Sequence, residues 1–256
     1  MGILQPLFNQ IMETVELVRS RKREEGVPES EIRVTMLSFG YPDLLIPDLE
    51  VGDFFPDQEQ IQKYHGVDFQ IRESYSVFKA LGIDLTVVDF KELRNESAFG
   101  RFYAWNMNAA PPDILTSVKC DIVLDPGTLE HVFNAPTALC NMNSLVAPHG
   151  YMIHWNPVTM INHGFYNFSP TFYYDWYAPE RGWELQHWGL FNPENCARIS
   201  TPEGLKHVGV QRYQLPPESS QWAVAKKIEI ISGSQLIVRF PYPIQSKYKE
   251  MLNAAV

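Results

Sequence analysis

Cysteine, positive charge and long apolar runs are all scarce in this sequence of 256 residues. The three cysteines (Cys120, Cys140 and Cys196) are widely spaced without a CxxC pair, which argues against a disulfide framework and a thiolate zinc site. With 21 Lys and Arg against 30 Asp and Glu, the net charge of −9 argues against nucleic acid or an anionic membrane as partner. No apolar run is long enough for a bilayer span and no signal-peptide pattern is present, so we expect a cytoplasmic protein.

The first residues carry an apolar stripe at helical spacing. Its members are Leu4, Leu7, Phe8, Ile11, Met12, Val15 and Val18. The stripe predicts an amphipathic helix over residues 3–22, within an N-terminal segment 1–30 that precedes an α/β domain at 31–256. We expect the stripe to pack on the chain's own domain or on a second copy in a homodimer.

Beyond residue 30, short apolar runs alternate with helical patterns. The predicted strands are 32–39, 84–89, 101–105, 120–125 and 151–155, with two further strand-like runs at 222–225 and 236–240. The predicted helices are 61–81 and 137–146. This alternation predicts a doubly wound, mostly parallel Rossmann-like sheet with helices on both faces.

Four predicted strands each end on, or are directly followed by, a residue suited to a bound nucleoside, namely Gly40, Asp89, Asn106 and Asp125. A glycine lets the backbone approach a ligand closely, and an acid after the second strand accepts hydrogen bonds from ribose hydroxyls. The Asn106 amide can pair with adenine. Each residue alone also fits an ordinary turn, but four in register indicate a nucleoside-containing cofactor.

The order of these residues resembles the class I S-adenosylmethionine-dependent methyltransferases. Segment 120–134 (CDIVLDPGTLEHVFN) resembles the fourth motif of that family, and 163–170 (HGFYNFSP) resembles a motif of a little-characterised bacterial subgroup. The likeness covers roughly residues 31 to 248 and is specific over 121–176. It implies a methyltransferase-like fold, S-adenosylmethionine as cofactor, and Met107 beside Asn106 among the cofactor-binding residues.

The first glycine motif departs from the usual Gly-x-Gly-x-Gly loop of the family, because Gly40 stands alone and Tyr41 and Pro42 follow it. Bulky residues at these positions would crowd a cofactor that lies flat on the loop. A catalytically inactive binding or scaffold protein on the same fold is therefore the alternative. A nicotinamide-dependent enzyme is disfavoured, since no G-x-G-x-x-G follows the first strand.

Two histidines near strand ends are candidates for catalysis. Methyl transfer to a hydroxyl requires a base, and histidine suits that task near neutral pH. His131 follows the fourth strand and His163 follows the fifth, whereas His154 lies within the fifth strand and is predicted to be a hydrogen-bonded core residue. The expected acceptor is a small molecule, most simply a hydroxyl of a sugar or a specialised metabolite.

Glu130 directly precedes His131 and opens a second hypothesis. With His163, the pair is similar to the Glu-x-x-Glu-His…His set that holds a divalent metal in ubiquinone O-methyltransferases and in RNA 3′-terminal 2′-O-methyltransferases, although Gly127 replaces the first Glu. The favoured interpretation is instead that Glu130 caps a helix beginning near Val132, where the positive end of the helix dipole stabilises it. The aromatic-rich stretch 155–188 is expected to be mostly core, with a lid or acceptor pocket as its functional interpretation.

Overall fold

The computed structural model describes residues 2–92, 94–192, 197–199 and 215–228. The helices are α1 (Gln5–Glu24), α2 (Gln58–His65), α3 (Ser74–Ala80), α4 (Asp113–Thr116), α5 (Ala135–Ser144) and α6 (Pro170–Trp176). The strands are β1 (Val34–Phe39), β2 (Ile83–Asp89), β3 (Arg101–Ala104), β4 (Cys120–Asp125), β5 (Val146–Pro157), β6 (Trp183–Asn192), β7 (Ala197–Ile199) and β8 (Ser220–Lys227).

The strands form one sheet in the order β3-β2-β1-β4-β5-β8-β6-β7. The first five strands of the chain run parallel, while β8 is antiparallel to both of its neighbours, β5 and β6. The chain moves outward from β1 to β2 and β3, then returns to β4 on the other side of β1. This reversal is the topological switch point of a doubly wound sheet. The predicted fold class is confirmed.

Helices cover both faces of the sheet because inward and outward positions alternate along each strand. On β1, Val34 and Met36 belong to a core shared with α1, α2 and α3. Leu37 and Phe39 belong to a second core, shared with α4, α5 and α6. Both sets of side chains are fully buried, as expected for parallel strands covered on two sides.

The N-terminal helix packs on the sheet of its own chain. Its buried residues are Leu7, Phe8, Gln10, Ile11, Thr14, Val15 and Val18, and the apolar ones join the same core as β1 and β4. The predicted stripe therefore packs against its own chain, and its buried residues are not available as the contact surface of a homodimer. Within the described ranges, no helix combines the length and apolarity that crossing a membrane requires.

Several predicted boundaries need correction. The helix predicted over 61–81 is two helices. The first, α2, ends at His65, where the backbone N–H of Gly66 donates to the carbonyl oxygen of Gln62, and the Glu73 carboxylate caps the start of α3. The helix predicted over 137–146 is α5, which begins and ends two residues earlier. The run 222–225 is confirmed within β8, β6 was not predicted, and the run 236–240 lies outside the described residues.

An ion-pair cluster at the amino end of β4 fastens α1 to the sheet. The Asp121 carboxylate accepts hydrogen bonds from Arg21 Nη2 and Lys22 Nζ, each at 2.8 Å, and from the Thr35 backbone N–H at 3.0 Å. Burial alone would raise the pKa of Asp121, but the bonds from Lys22 and Thr35 outweigh it and hold that pKa below its usual value. The ionised carboxylate therefore stabilises the folded chain.

Asp121→Asn is expected to lower the free energy of unfolding at pH 7 by about 2–4 kcal/mol, because two cations lose their shared partner. A depressed pKa stabilises the fold above the unfolded value of about 3.9, and this contribution is lost as the pH falls through the folded value. The difference between wild type and variant should therefore shrink below about pH 4. Urea unfolding at pH 7 and below about pH 4 measures this difference in the free energy of unfolding. Asp48→Asn, at an exposed acid, is the control, and identical midpoints for Asp121→Asn and wild type would contradict the account.

Candidate functional site

The turn after β4 is organised by a buried carboxylate. Asp125 is completely buried, and its Oδ1 accepts hydrogen bonds from the backbone N–H groups of Thr128 at 2.8 Å and Leu129 at 3.0 Å. Its Oδ2 lies 2.7 Å from His154 Nδ1 and accepts a bond from Asn156 Nδ2 at 2.9 Å. Burial would raise the pKa of Asp125, but these bonds, led by that of His154, hold it low.

This environment corrects one prediction and confirms another. Asp125 was predicted to bind the cofactor, but four donors from the chain already occupy its two oxygens and no solvent reaches it. His154, predicted to be a hydrogen-bonded core histidine, is fully buried, with Nε2 2.6 Å from the Tyr177 hydroxyl. The acid at this strand end shapes the protein rather than contacting a ligand.

A cavity of about 410 Å³ opens beyond the carboxyl ends of β1, β2 and β4. Its lining includes Gly40 after β1, Asp89 at the end of β2, and Pro126, Thr128 and His131 from the turn after β4. This is the switch point of the sheet, where ligands of doubly wound folds bind. The structure thus places two of the five predicted cofactor residues, Gly40 and Asp89, in one cavity.

Gly40, in the loop after β1, packs closely against the turn after β4. Its φ of +85° lies in the left-handed region, and a Cβ there would stand 2.8 Å from Thr128 Oγ1. That hydroxyl donates to the carbonyl oxygen of Phe39 at 2.5 Å. Tyr41, which follows Gly40, lines the same cavity. Its ring packs on Phe55, and its hydroxyl donates to Glu73 on the α3 side of the loop.

The Asp89 carboxylate lines the same cavity. Oδ1 accepts from the Phe90 backbone N–H at 2.6 Å, and among the described residues no other group hydrogen-bonds to this side chain. Burial raises the pKa of Asp89, and the Phe90 N–H opposes that rise. A half-buried carboxylate with a free oxygen is suited to accept hydrogen bonds from a bound polyol.

A charged network on another wall of the cavity was not predicted. Asp43 Oδ2 lies 2.9 Å from His65 Nε2 and 3.0 Å from Arg94 Nη2, and the Arg94 guanidinium stands 5.0 Å from the Tyr41 ring centre. The Asp43 carboxylate thus balances the positive charge of Arg94 on this wall. Asp43 and Arg94 are 51 residues apart in the chain, so local sequence patterns give no signal of their pairing.

The three predicted catalytic residues lie together, and one of them, His131, lines this cavity. Glu130 Oε1 is 3.6 Å from His163 Nε2 and 3.9 Å from His131 Nε2, and the two imidazole centres are 5.0 Å apart. Glu130 is fully buried, whereas the side chains of His131 and His163 are 45% and 33% exposed. Burial and His163 lower the pKa of His131, against the opposing effect of Glu130. We call these three residues the Glu130 cluster.

Backbone contacts explain how residues more than thirty positions apart meet. The short helical turn at Leu129–His131 directs Glu130 inward and His131 outward. The Phe165 N–H then donates to the Glu130 carbonyl oxygen at 2.8 Å. Gly164 permits this approach, since a Cβ there would stand 2.8 Å from the same oxygen.

A polar chain from β5 orients the Glu130 carboxylate, and sequence reasoning missed it. Asn156 Nδ2 donates to Glu130 Oε2 at 2.9 Å as well as to Asp125, and the Tyr173 hydroxyl donates to Asn156 Oδ1. Asn156 lies two positions after His154 on the same face of β5, which is the only local signal in the sequence. With Oε2 held in this way, Oε1 is turned toward the two imidazoles.

Two predicted cofactor residues lie elsewhere. Asn106 is exposed, and its Oδ1 accepts from the N–H and the amide of Asn108 at 3.1 and 2.9 Å. Met107 is 5% exposed and packs in the second core. Neither belongs to the described lining of the cavity. In the structure Asn106 Oδ1 serves the turn after β3 and Met107 serves the second core, and their contact with a cofactor stays a prediction.

The aromatic-rich stretch is mostly core, as expected. Tyr173, Trp176 and Tyr177 are buried under the sheet in the second core. Phe165 is the exception: it is 64% exposed and meets the 71% exposed Phe133 edge-on, with 5.5 Å between ring centres. Each ring lies two residues after a histidine of the Glu130 cluster, so an apolar patch borders that cluster.

No protein-family model matches the sequence, and no curated protein matches it. Solved structures that resemble the fold include the N-methyltransferase NodS from Bradyrhizobium japonicum, with 12% identity, coverage of 88% of this chain and 98% of that chain, and a TM-score of 0.44. Another is the 1,6-didemethyltoxoflavin-N1-methyltransferase from Burkholderia thailandensis, with 13% identity, coverage of 85% and 77%, and a TM-score of 0.44. Function in this chain is inferred from its own residues.

Gly164→Ala is expected to separate His163 from Glu130, because the added methyl group meets the Glu130 carbonyl oxygen. The overpacking should lower the free energy of unfolding by about 1–3 kcal/mol, measured by urea denaturation. Ile161→Ala, at an 83% exposed position of the same loop, is the control and should unfold like wild type. An unchanged midpoint for Gly164→Ala would show that the loop does not depend on this contact.

Proposed function

We propose that the protein transfers a methyl group from S-adenosylmethionine to a small-molecule acceptor. The observation that carries this proposal is the cavity at the switch point, which is lined by Gly40, Asp89 and His131 of the Glu130 cluster. Its volume of about 410 Å³ lies within the range of small-molecule sites. A nucleoside cofactor in this cavity would have its ribose near Asp89 and its reactive end near His131.

Asp89 is proposed to bind the ribose. An acid at the end of the second strand of a doubly wound sheet accepts hydrogen bonds from ribose hydroxyls, and Asp89 has an oxygen available for this purpose. Gly40, opposite Asp89, lets the backbone of the first loop approach the ligand. Asp89 also carries a negative charge without a hydrogen-bonded cation among the described residues, which favours a cofactor bearing a positive sulfonium.

The Glu130 cluster is proposed to remove the acceptor's proton. When bound, S-adenosylmethionine supplies an activated methyl group for in-line displacement by the acceptor oxygen. His131 lines the cavity and His163 stands beside it, so an acceptor hydroxyl between cofactor and cluster can give its proton to the Nε2 of either imidazole. The hydroxyl acceptor and the imidazole base are the specific parts of this proposal.

The acceptor is proposed to have an apolar face beside its hydroxyl. The exposed rings of Phe133 and Phe165 border the Glu130 cluster and offer an aromatic surface that a sugar ring or a specialised metabolite can cover. The protein is proposed to act on such molecules in the cytoplasm. The alternative of an inactive scaffold is decided by whether the cofactor binds.

Asp89→Asn is expected to weaken S-adenosylmethionine binding about 10- to 100-fold, the equivalent of losing a charge-assisted hydrogen bond. Titration calorimetry measures the affinity. Asp84→Asn, at an exposed acid near the other end of β2, is the matched control and should bind like wild type. A wild-type protein that gives no heat at millimolar cofactor would support the scaffold, and a response to NAD alone would support a nicotinamide enzyme.

His163→Ala and His131→Ala are each expected to lower turnover about 10²- to 10⁴-fold while cofactor affinity changes little, because a proton acceptor is lost. A screen of sugars, phosphorylated metabolites and small amines for methyl uptake from labelled S-adenosylmethionine identifies the acceptor. His187→Ala, at an exposed site on β6, is the control and should retain the wild-type rate. Wild-type turnover in both cluster variants would contradict the proposed role.

A further inference from the structure

We infer that the Glu130 cluster is a binding site for one divalent transition-metal ion, held by Glu130 Oε1 and by the Nε2 atoms of His131 and His163. One ligand atom from each of these residues lies within 4.8 Å of the other two. Ligand atoms about 2.1 Å from a tetrahedral ion stand roughly 3.4 Å apart. The observed separations from Oε1, 3.6 and 3.9 Å, therefore require only small side-chain adjustments.

The state of the Glu130 carboxylate points to a cation. Oε1 is buried and has no hydrogen-bond partner, although it faces two imidazoles. A buried carboxylate oxygen without a partner is costly, and a bound cation removes that cost. Oε2 does not share this need, because it accepts the bond from Asn156.

Asn156 gives the site the outer support that metal centres need. Its amide fixes the carboxylate so that Oε1 faces the histidines, and the Tyr173 hydroxyl in turn holds Asn156. Partners of this kind orient metal ligands and tune their affinity. The orientation of Glu130 is thus set by the fold before any ion binds.

The site is open on one side. The exposed parts of His131 and His163 face solvent, so three protein ligands leave at least one position for water or an acceptor oxygen. Two imidazoles and one carboxylate favour ions such as Zn²⁺, Fe²⁺ or Co²⁺ over Mg²⁺, which prefers oxygen ligands.

A bound ion changes how the acceptor loses its proton. With both imidazoles as ligands, a bound cation would lower the pKa of an acceptor hydroxyl beside it, and the proton would pass to solvent water on the open side of the site. This role rests on the proposed methyl transfer, whereas binding of the ion does not. The two proposals can therefore fail independently.

The test uses the untagged full chain, stripped with a chelator and titrated with Co²⁺, whose visible absorption reports imidazole and carboxylate ligation. Wild type should bind one Co²⁺ per chain with saturable absorption, and Zn²⁺ should displace it. Glu130→Gln, His131→Ala and His163→Ala should each weaken binding by about 10- to 100-fold or more. Circular dichroism verifies that each variant is folded, and both histidine variants alter exposed side chains.

His187→Ala, with an exposed histidine removed from β6, is the control for adventitious binding and should match wild type. The inference would be overturned if wild type gave no saturable signal, or if the three cluster variants bound Co²⁺ as tightly as wild type does. S-adenosylmethionine is titrated into the same preparations. Cofactor binding without Co²⁺ binding would leave methyl transfer in place with an imidazole base, and Co²⁺ binding without cofactor binding would leave the metal site alone.

Discussion

The geometry of this molecule depends on one buried carboxylate, that of Asp125 at the end of β4. Its two oxygens accept from the turn that follows β4 and from His154 and Asn156 on the neighbouring strand β5. The same turn carries Thr128, which holds the first loop through Phe39, and Glu130, which Asn156 holds in place. Cavity and cluster are therefore set by a single hydrogen-bonded unit.

That unit explains why two different chemistries meet at one point of the sheet. The cavity side offers a half-buried carboxylate and a glycine loop, which suit a polar nucleoside. The cluster side offers a buried Glu130 oxygen without a partner beside two accessible imidazoles, an arrangement that disfavours the isolated fold and favours a bound cation. Functional sites commonly keep such a local cost, because the chemistry requires it.

Sequence reasoning succeeded where the signal is periodic or local. Alternating apolar runs identified the parallel sheet, and residues at or beyond strand ends include Asp89 and His131, which lie in one cavity because parallel strands end at one edge. It failed where one residue type serves two purposes. Asp125 and Asn106 also end strands, but their side chains stabilise turns, and only three-dimensional contacts distinguish the two uses. The pairing of Asp43 with Arg94 has no local signature, because it joins distant loops.

The central claim is that the methyl donor binds beside the Glu130 cluster. A crystal structure with S-adenosylhomocysteine, the demethylated product, tests it most directly. We predict that its ribose hydroxyls contact the Asp89 carboxylate and that its sulfur faces the side of the cavity where His131 and His163 stand. Electron density for the ligand in another part of the molecule, or with its sulfur directed away from the histidines, would contradict the account.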